Sequence, residues 1–405
     1  MIWLERKGAA IIQDRIGPIR ANIFGIRLFG MLHNIADVIK LLFKEDVVPN
    51  HVNKFYYFLG PFWSMTISLI PLMLVPIASP IVMDSFVFRF QVADYSSGIL
   101  LFFAITGLGV YAIIFAGWSS NNKYSLLGGL RSSSQMISYE LGMGLSIVAV
   151  LMTFQDISLN TIVEKQSGLL TIFGVTLPLP NWGIFLQPIA FIIFLVAAFA
   201  ETNRTPFDLA EGESEIVAGY HTEYSSMKFA LFFMAEYANM VVASIIISTL
   251  FLGGYQVPFF STEVLRQNPH YTMSAILVLL ILKGFLVGWI LYKRAKAFGK
   301  KFQEPLGKKE YFILSYLMFG LAILSLVLIP IVLQIQYSAL AAQIIVAILQ
   351  ILMLLAKAMI FLWLYVQVRW TLPRFRYDQL MNMGWRLMLP ISLLNVVVTG
   401  IVIAL

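Results

Sequence analysis

Nine apolar runs recur along the chain, near residues 58–83, 97–118, 137–155, 183–200, 229–253, 272–292, 311–333, 341–366 and 386–405, with polar connections between them. A run of roughly 20 residues rises about 30 Å as an α-helix, the thickness of a bilayer's hydrocarbon core. Lipid gives an exposed N–H or C=O no partner, so a segment that crosses it closes its hydrogen bonds on itself. The pattern predicts an all-α fold, a polytopic transmembrane helical bundle of about nine spans, with residues 1–405 as a single integral membrane domain.

Residues 1–57 read differently, as a cytoplasmic or interfacial segment. Within it, LFGMLHNIADVIKLLFK (28–44) is too short and too interrupted to span, and His33, Asp37, Lys40 and Lys44 recur at helical spacing. This is an amphipathic helix whose polar stripe either faces water at the membrane surface or lines a polar cavity among the spans. The opening MIWLERK starts like the end of a helix, so a transmembrane helix is expected before it.

Composition agrees with a membrane protein, at 59% hydrophobic and 12% charged, where a soluble domain is about a quarter charged. The lysines and arginines fix the orientation. Connections 1–57, 119–136, 201–228, 293–310 and 367–386 hold 23 of them, whereas the alternate connections hold only Arg89, Lys165 and Arg266. The positive-inside rule places the first set in the cytoplasm. The net charge of +7 is therefore read as orientation, with the bilayer and not nucleic acid as partner.

No cysteine is present, and the four histidines (His33, His51, His221, His270) form no HExxH motif and no i, i+4 pair. The chain offers no thiolate for an iron–sulfur cluster, and no metal site is expected.

Against this background the stretch ETNRTPFDLAEGESE (201–215) stands out, with five carboxylates and one arginine in fifteen residues. Thr205, Pro206 and Asp208 have the N-cap, N1 and N3 spacing of a helix start, so Asp208 is either a cap or a chemical group. From that start Glu211 and Glu215 stack at i, i+4, with Glu213 on another side. Glu201 closes the preceding span and Glu223 follows the stretch. A solvated acidic loop accounts for Glu213 or Glu215, but not for Glu236, inside the next apolar run, nor readily for Glu140, at the start of the third. Lys283 and Lys357 also lie within spans, where they snorkel or pair with a glutamate. Acids held together at low dielectric cannot all ionise and titrate as a group, which makes the cluster a candidate proton-handling site. A cation site of carboxylates and carbonyls is the other use of these residue types.

The stretches ERKGAAIIQDRIGP (5–18), ADVIKLLFKED (36–46), GWSSNNKYSLLGGLRSSSQMISYE (117–140), AETNRTPFDLAEGESEIVAGYHTEYSSMKFALFFMAEYANM (200–240) and RWTLPRFRYDQLMNMGW (369–385) together resemble one family closely. It is the quinone-site membrane subunit of respiratory complex I, the proton-translocating NADH:quinone oxidoreductase. The resemblance implies a multi-pass protein of the bacterial cytoplasmic (inner) membrane that forms much of a quinone tunnel and couples quinone reduction to proton pumping. Residues 201–228 would be the acidic cytoplasmic loop beneath the quinone cavity. Glu140, Glu201, Asp208, Glu211, Glu213, Glu215, Glu223 and Glu236 would couple protons, and Arg15, Arg20, Asp37, Lys40 and Arg204 would line the tunnel, with no directly catalytic residue. Ubiquinone or menaquinone would be the substrate. FMN and iron–sulfur clusters would sit in partners, among them the hydrophilic quinone-site and iron–sulfur subunits, beside small neighbouring membrane subunits.

Departures from the family pattern shape further expectations. Ile19 stands where asparagine is usual and His33 where glutamine is common. Residues 256–340 exceed the family norm and contain two additional transmembrane helices joined by a basic loop. The homologous membrane anchor of a hydrogenase or other-donor dehydrogenase is the alternative, and a free-standing cation/proton antiporter a more distant one.

Overall fold

The computed structural model describes every residue except 24–26, 84–85, 173–174, 210–216, 302–304 and 405, and no side chain at 11, 171–172, 175, 298–301 or 305–307. In chain order the α-helices are α1 (Ile2–Ile12), α2 (Leu32–Phe43), α3 (Lys54–Leu69), α4 (Gly98–Gly107), α5 (Gly109–Ser119), α6 (Lys123–Phe154), α7 (Leu159–Lys165), α8 (Gly183–Leu186), α9 (Pro188–Glu201), α10 (Ser226–Phe251), α11 (Thr262–Gln267), α12 (Pro269–Lys301), α13 (Pro305–Gln334), α14 (Ala339–Thr371), α15 (Tyr377–Asn382) and α16 (Leu389–Ala404). Two short antiparallel hairpins, Ile81–Met83 with Phe86–Phe88 and Leu169–Ile172 with Val175–Pro180, are the strands among the described residues. Eight helical stretches are long and apolar enough to cross a membrane, and Pro188–Glu201 is a shorter apolar helix. The protein is an all-α polytopic membrane protein.

Two boundaries differ from the hydropathy reading. The expected loop 119–136 is helical from Lys123 onward, because α6 runs unbroken to Phe154. Its polar first half is built of Ser125, Gly128, Gly129, Ser132 and Ser133, all buried, and small residues let helices approach closely enough to pack without apolar bulk. Glu140 thus sits in mid-helix and not at a helix start. The run 58–83 stops being helical at Leu74, and its last three residues belong to a hairpin.

The chain forms two compact units. The first comprises residues 1–40, 80–88 and 261–349. In it α12 and α13 lie antiparallel along most of their length: Ser315 donates to the Gly288 carbonyl at 2.8 Å, and the Tyr292 and Phe312 rings are 5.5 Å apart. Their outer faces are apolar and open, with Leu282, Leu286 and Ile313 about 60% exposed, as lipid-facing surfaces require. Before α2, Leu28, Phe29 and Gly30 all have positive φ (45°, 58° and 84°), a conformation that costs a non-glycine residue about 1–2 kcal/mol. Glycine is needed at position 30 also because a Cβ there would stand 1.9 Å from the Pro18 carbonyl oxygen.

The second unit comprises residues 41–79, 89–260 and 350–405. Buried polar side chains tie its helices together. Gln187 donates to the hydroxyls of Thr153 (2.9 Å) and Thr399 (3.0 Å) and accepts from Asn395 (3.0 Å). Gln166 accepts from the backbone N–H groups of Gly183 and Gly253 and donates to the Thr249 carbonyl. The Tyr57 and Tyr224 rings stack at 4.3 Å and 4°.

Candidate functional site

The acidic stretch begins where α9 ends. After Glu201 the chain turns through Asn203, whose φ is 49°, and does not start a helix at Thr205. The cap spacing is overridden because tertiary partners take the groups a helix would use. The Pro206 carbonyl accepts from the Phe375 N–H at 3.0 Å, and the Phe207 carbonyl accepts from Gln135 at 2.8 Å. Gln135 also donates to the Ala200 carbonyl at 2.8 Å, so one α6 side chain clamps both ends of the turn. Phe207 is buried between Tyr139 and Phe375, each ring centroid at 5.5 Å. Asp208 accepts from Arg374 at 2.9 Å.

This turn presents Arg204 to α10. Arg204 is buried, with its guanidinium 4.5 Å from the centroid of the Tyr237 ring, and both it and Asp208 interact electrostatically with Glu236. Glu236 is 8% exposed and accepts from the Tyr220 hydroxyl at 3.3 Å. A polar cavity opens beside it, lined among others by Glu201, Thr202, Asn203, Tyr220, Glu236 and Asn239. A second, more apolar cavity shares Glu201, Thr202 and Asn239 and reaches Met143 and Phe194. Glu140 packs against Gly107, where a Cβ would stand 2.7 Å from its Oε1, and it interacts electrostatically with Glu201. The structure thus brings Glu140, Glu201, Arg204, Asp208 and Glu236 together. Carboxylates that line a common cavity, one of them holding a tyrosine hydroxyl, can exchange protons and respond to a charge placed near them.

Other expected residues lie elsewhere. Glu223 accepts from Asn122 at 2.5 Å. Asp37 pairs with Arg6 at 2.6 Å in the first unit, where Arg15, Arg20 and Lys40 are exposed. Glu211, Glu213 and Glu215 lie outside the described residues. Lys357 does not pair with a glutamate: its ammonium donates to the carbonyls of Leu252 (2.6 Å), Gly254 (2.9 Å) and Gln256 (2.7 Å). Lys283 is exposed. No group of three or more His, Cys, Asp or Glu among the described residues is placed to hold a metal ion.

Tyr220, Asn203 and Gln135 carry no distinguishing signal in the sequence. Uncharged polar side chains in a polar loop or a Ser-rich helix give no periodicity that sets them apart. Next to Tyr220, His221 is buried against Phe229 and Phe233 (centroids at 5.2 and 6.0 Å), and that desolvation pushes its pKa down to about 4. Burial likewise pushes the Lys7 ammonium of the first unit down to about 8, with Arg294 adding to the effect and Glu310 opposing it.

Fold and site define a polytopic helical membrane protein with a series of half-buried and buried carboxylates joined to an arginine and a tyrosine. The chain belongs to the NADH dehydrogenase family, whose pattern matches residues 1–400. It is 42% identical over 406 residues to an H-type subunit of NADH-quinone oxidoreductase from Solibacter usitatus, covering 99% of this chain and 91% of that one. It is 40% identical to NADH-quinone oxidoreductase subunit 8 of Rhodothermus marinus, covering 100% and 92%. With the H-type subunit of NADH-quinone oxidoreductase from Bdellovibrio bacteriovorus the identity is 36%, over 100% and 91%.

Proposed function

We propose that this chain is the membrane subunit of a proton-translocating NADH:quinone oxidoreductase in a bacterial inner membrane, forming much of the quinone tunnel. The reading is supported by full-length similarity to proteins named NADH-quinone oxidoreductase subunits, and the observation that carries it is the series of half-buried Glu140 and Glu201 with buried Arg204, Asp208, Tyr220 and Glu236. Quinone, ubiquinone or menaquinone, is the substrate. With no cysteine in the chain to ligate them, iron–sulfur clusters belong to partner subunits of the hydrophilic arm; FMN is held there too, and small membrane subunits adjoin this one.

In this reading Arg15, Arg20, Asp37 and Lys40 line the tunnel near its mouth, Arg204 lines it as well, and residues 201–228 form the loop beneath the quinone cavity. The protons consumed at the quinone leave an imbalance of charge. Glu211, Glu213, Glu215 and Glu223, together with Asp208, respond to it, and the imbalance passes inward through Glu236, Glu201 and Glu140. Arg204 and Asp208, of opposite charge, both act electrostatically on Glu236. A proton gained or lost at Asp208 changes the balance between them and so alters the hold of Glu236 on its own proton.

The test is Glu236→Gln in the assembled complex, with NADH:quinone reduction and proton uptake into inverted vesicles measured together. We expect both to fall about 10-fold or more. Normal rates of both in a fully assembled complex reject the coupling role. Which donor reduces the co-purifying clusters, read by paramagnetic resonance, tests the donor separately, since reduction by hydrogen alone would move the chain to a sibling complex.

A further inference from the structure

The α12–α13 hairpin has no part in the chemistry above, yet it packs against Ile16, Ile19 and Phe29, neighbours in the chain of the residues read as lining the tunnel mouth. In the first unit Ala295 and Tyr311 form one buried cluster with Ile19, and Leu291, Phe312, Ile16 and Phe29 pack against it. The Phe29 and Tyr311 rings are 5.8 Å apart. Phe29 is the middle of the three left-handed residues Leu28, Phe29 and Gly30, and its carbonyl accepts from the Trp3 indole of α1 at 2.9 Å. Glu310, beside Tyr311, interacts electrostatically with both Arg27, which precedes the turn, and Lys7 of α1. One turn of α13 thus reaches both α1 and the segment leading into α2.

A left-handed run containing two non-glycine residues persists only where its surroundings hold it. What hangs from this one is specific. Arg20 precedes it, α2 with Asp37 and Lys40 follows it, and Asp37 is tied back to α1 through Arg6 at 2.6 Å. We propose that the α12–α13 hairpin is a positioning clamp, in which Tyr311 and Glu310 hold the Leu28–Gly30 turn and α1 in register and thereby fix Arg20, Asp37 and Lys40 in the geometry that admits quinone. The inference rests on the tunnel-mouth reading of those three residues, and Tyr311 and Glu310 act through them without touching the substrate.

The experiment uses Tyr311→Ala and Tyr311→Phe in the assembled, detergent-solubilised complex with two independent readouts. Trypsin cleavage after the exposed Arg20 reports how firmly the segment is held, and KM and kcat for a short-chain quinone report the tunnel mouth. Tyr311→Ala should speed cleavage about fivefold or more, and raise KM about 3- to 10-fold with kcat within about twofold. Tyr311→Phe, which keeps the ring, should restore both. Unchanged cleavage overturns the clamp. Faster cleavage with unchanged KM retains the clamp and overturns the tunnel-mouth assignment instead. Should Tyr311→Ala fail to assemble, the absence of cysteine allows Phe29→Cys with Tyr311→Cys, bridged by a short bis-maleimide. Bridging should return cleavage to the unmodified rate, and failure of the pair to bridge also overturns the clamp.

Discussion

Arg374 donates to Asp208 at 2.9 Å, joining the end of α14 to the acidic stretch that follows α9. The pair is reinforced on both sides, by the Phe375 N–H on the Pro206 carbonyl at 3.0 Å and by the Phe207 and Phe375 rings at 5.5 Å. The Asp208 side chain is 9% exposed and that of Arg374 33%, so water screens the arginine more than the carboxylate. Arg374→Ala and Asp208→Ala are each expected to destabilise the protein by about 1.5–3 kcal/mol, the range for a hydrogen bond to a charged group. A double-mutant cycle on thermal unfolding in detergent checks this, and additive effects would show that the two side chains do not interact.

Two glycines of α6 should respond in opposite ways to the same substitution. Gly144 has nothing within 4 Å of an added Cβ, so Gly144→Ala should stabilise the helix by about 0.5–1 kcal/mol. At Gly128 the Cβ would meet backbone, Gly219 Cα at 2.7 Å and the Tyr220 nitrogen at 2.8 Å. Gly128→Ala is expected to push the 219–221 turn away, withdraw Tyr220 from Glu236, and lower proton pumping. Melting temperatures of the two variants, with pumping assayed in assembled complex, decide the matter.

Lys357 holds the chain just after α10 through three carbonyls and stacks its ammonium over the Trp182 ring at 4.9 Å. Methionine in its place keeps the bulk and leaves three carbonyls short of a donor. Lys357→Met should cost about 3 kcal/mol or more, read as a lower melting temperature. An arginine rescue is not expected, since the planar fork differs in shape from an ammonium directed at three converging acceptors.

His221 gives the fold an acid limit. Its folded pKa near 4 lies below the ordinary value of about 6.5, so between those two values the unfolded chain binds a proton that the buried ring refuses. Stability is therefore full above about pH 6.5, falls as pH drops toward about 4 and then levels, by about 3 kcal/mol in all. His221→Phe should flatten that window in pH-dependent thermal unfolding. An unchanged slope would mean that the ring takes up its proton in the folded state.

The sequence by itself determined the number of apolar helices and the family, because hydrocarbon thickness sets a length that twenty apolar residues announce, and because charged loops carry type and order without reference to their neighbours. It also determined that Glu236 is buried, since a carboxylate seven residues into an apolar run has nowhere polar to go except the interior. The start of α6 was hidden, since its buried half is serine and glycine, whose packing value lies in their smallness and not in hydropathy. The cap at Thr205 to Asp208 was legible and misleading: local spacing offered a helix, and Gln135, Arg374 and Phe375, distant in the chain, took the same groups. Only the tertiary structure decided that Tyr220 meets Glu236, that Lys357 binds carbonyls in place of a carboxylate, and that Tyr311 stands against Phe29. Each of these joins residues from separate elements, and no spacing along a chain encodes which elements will touch.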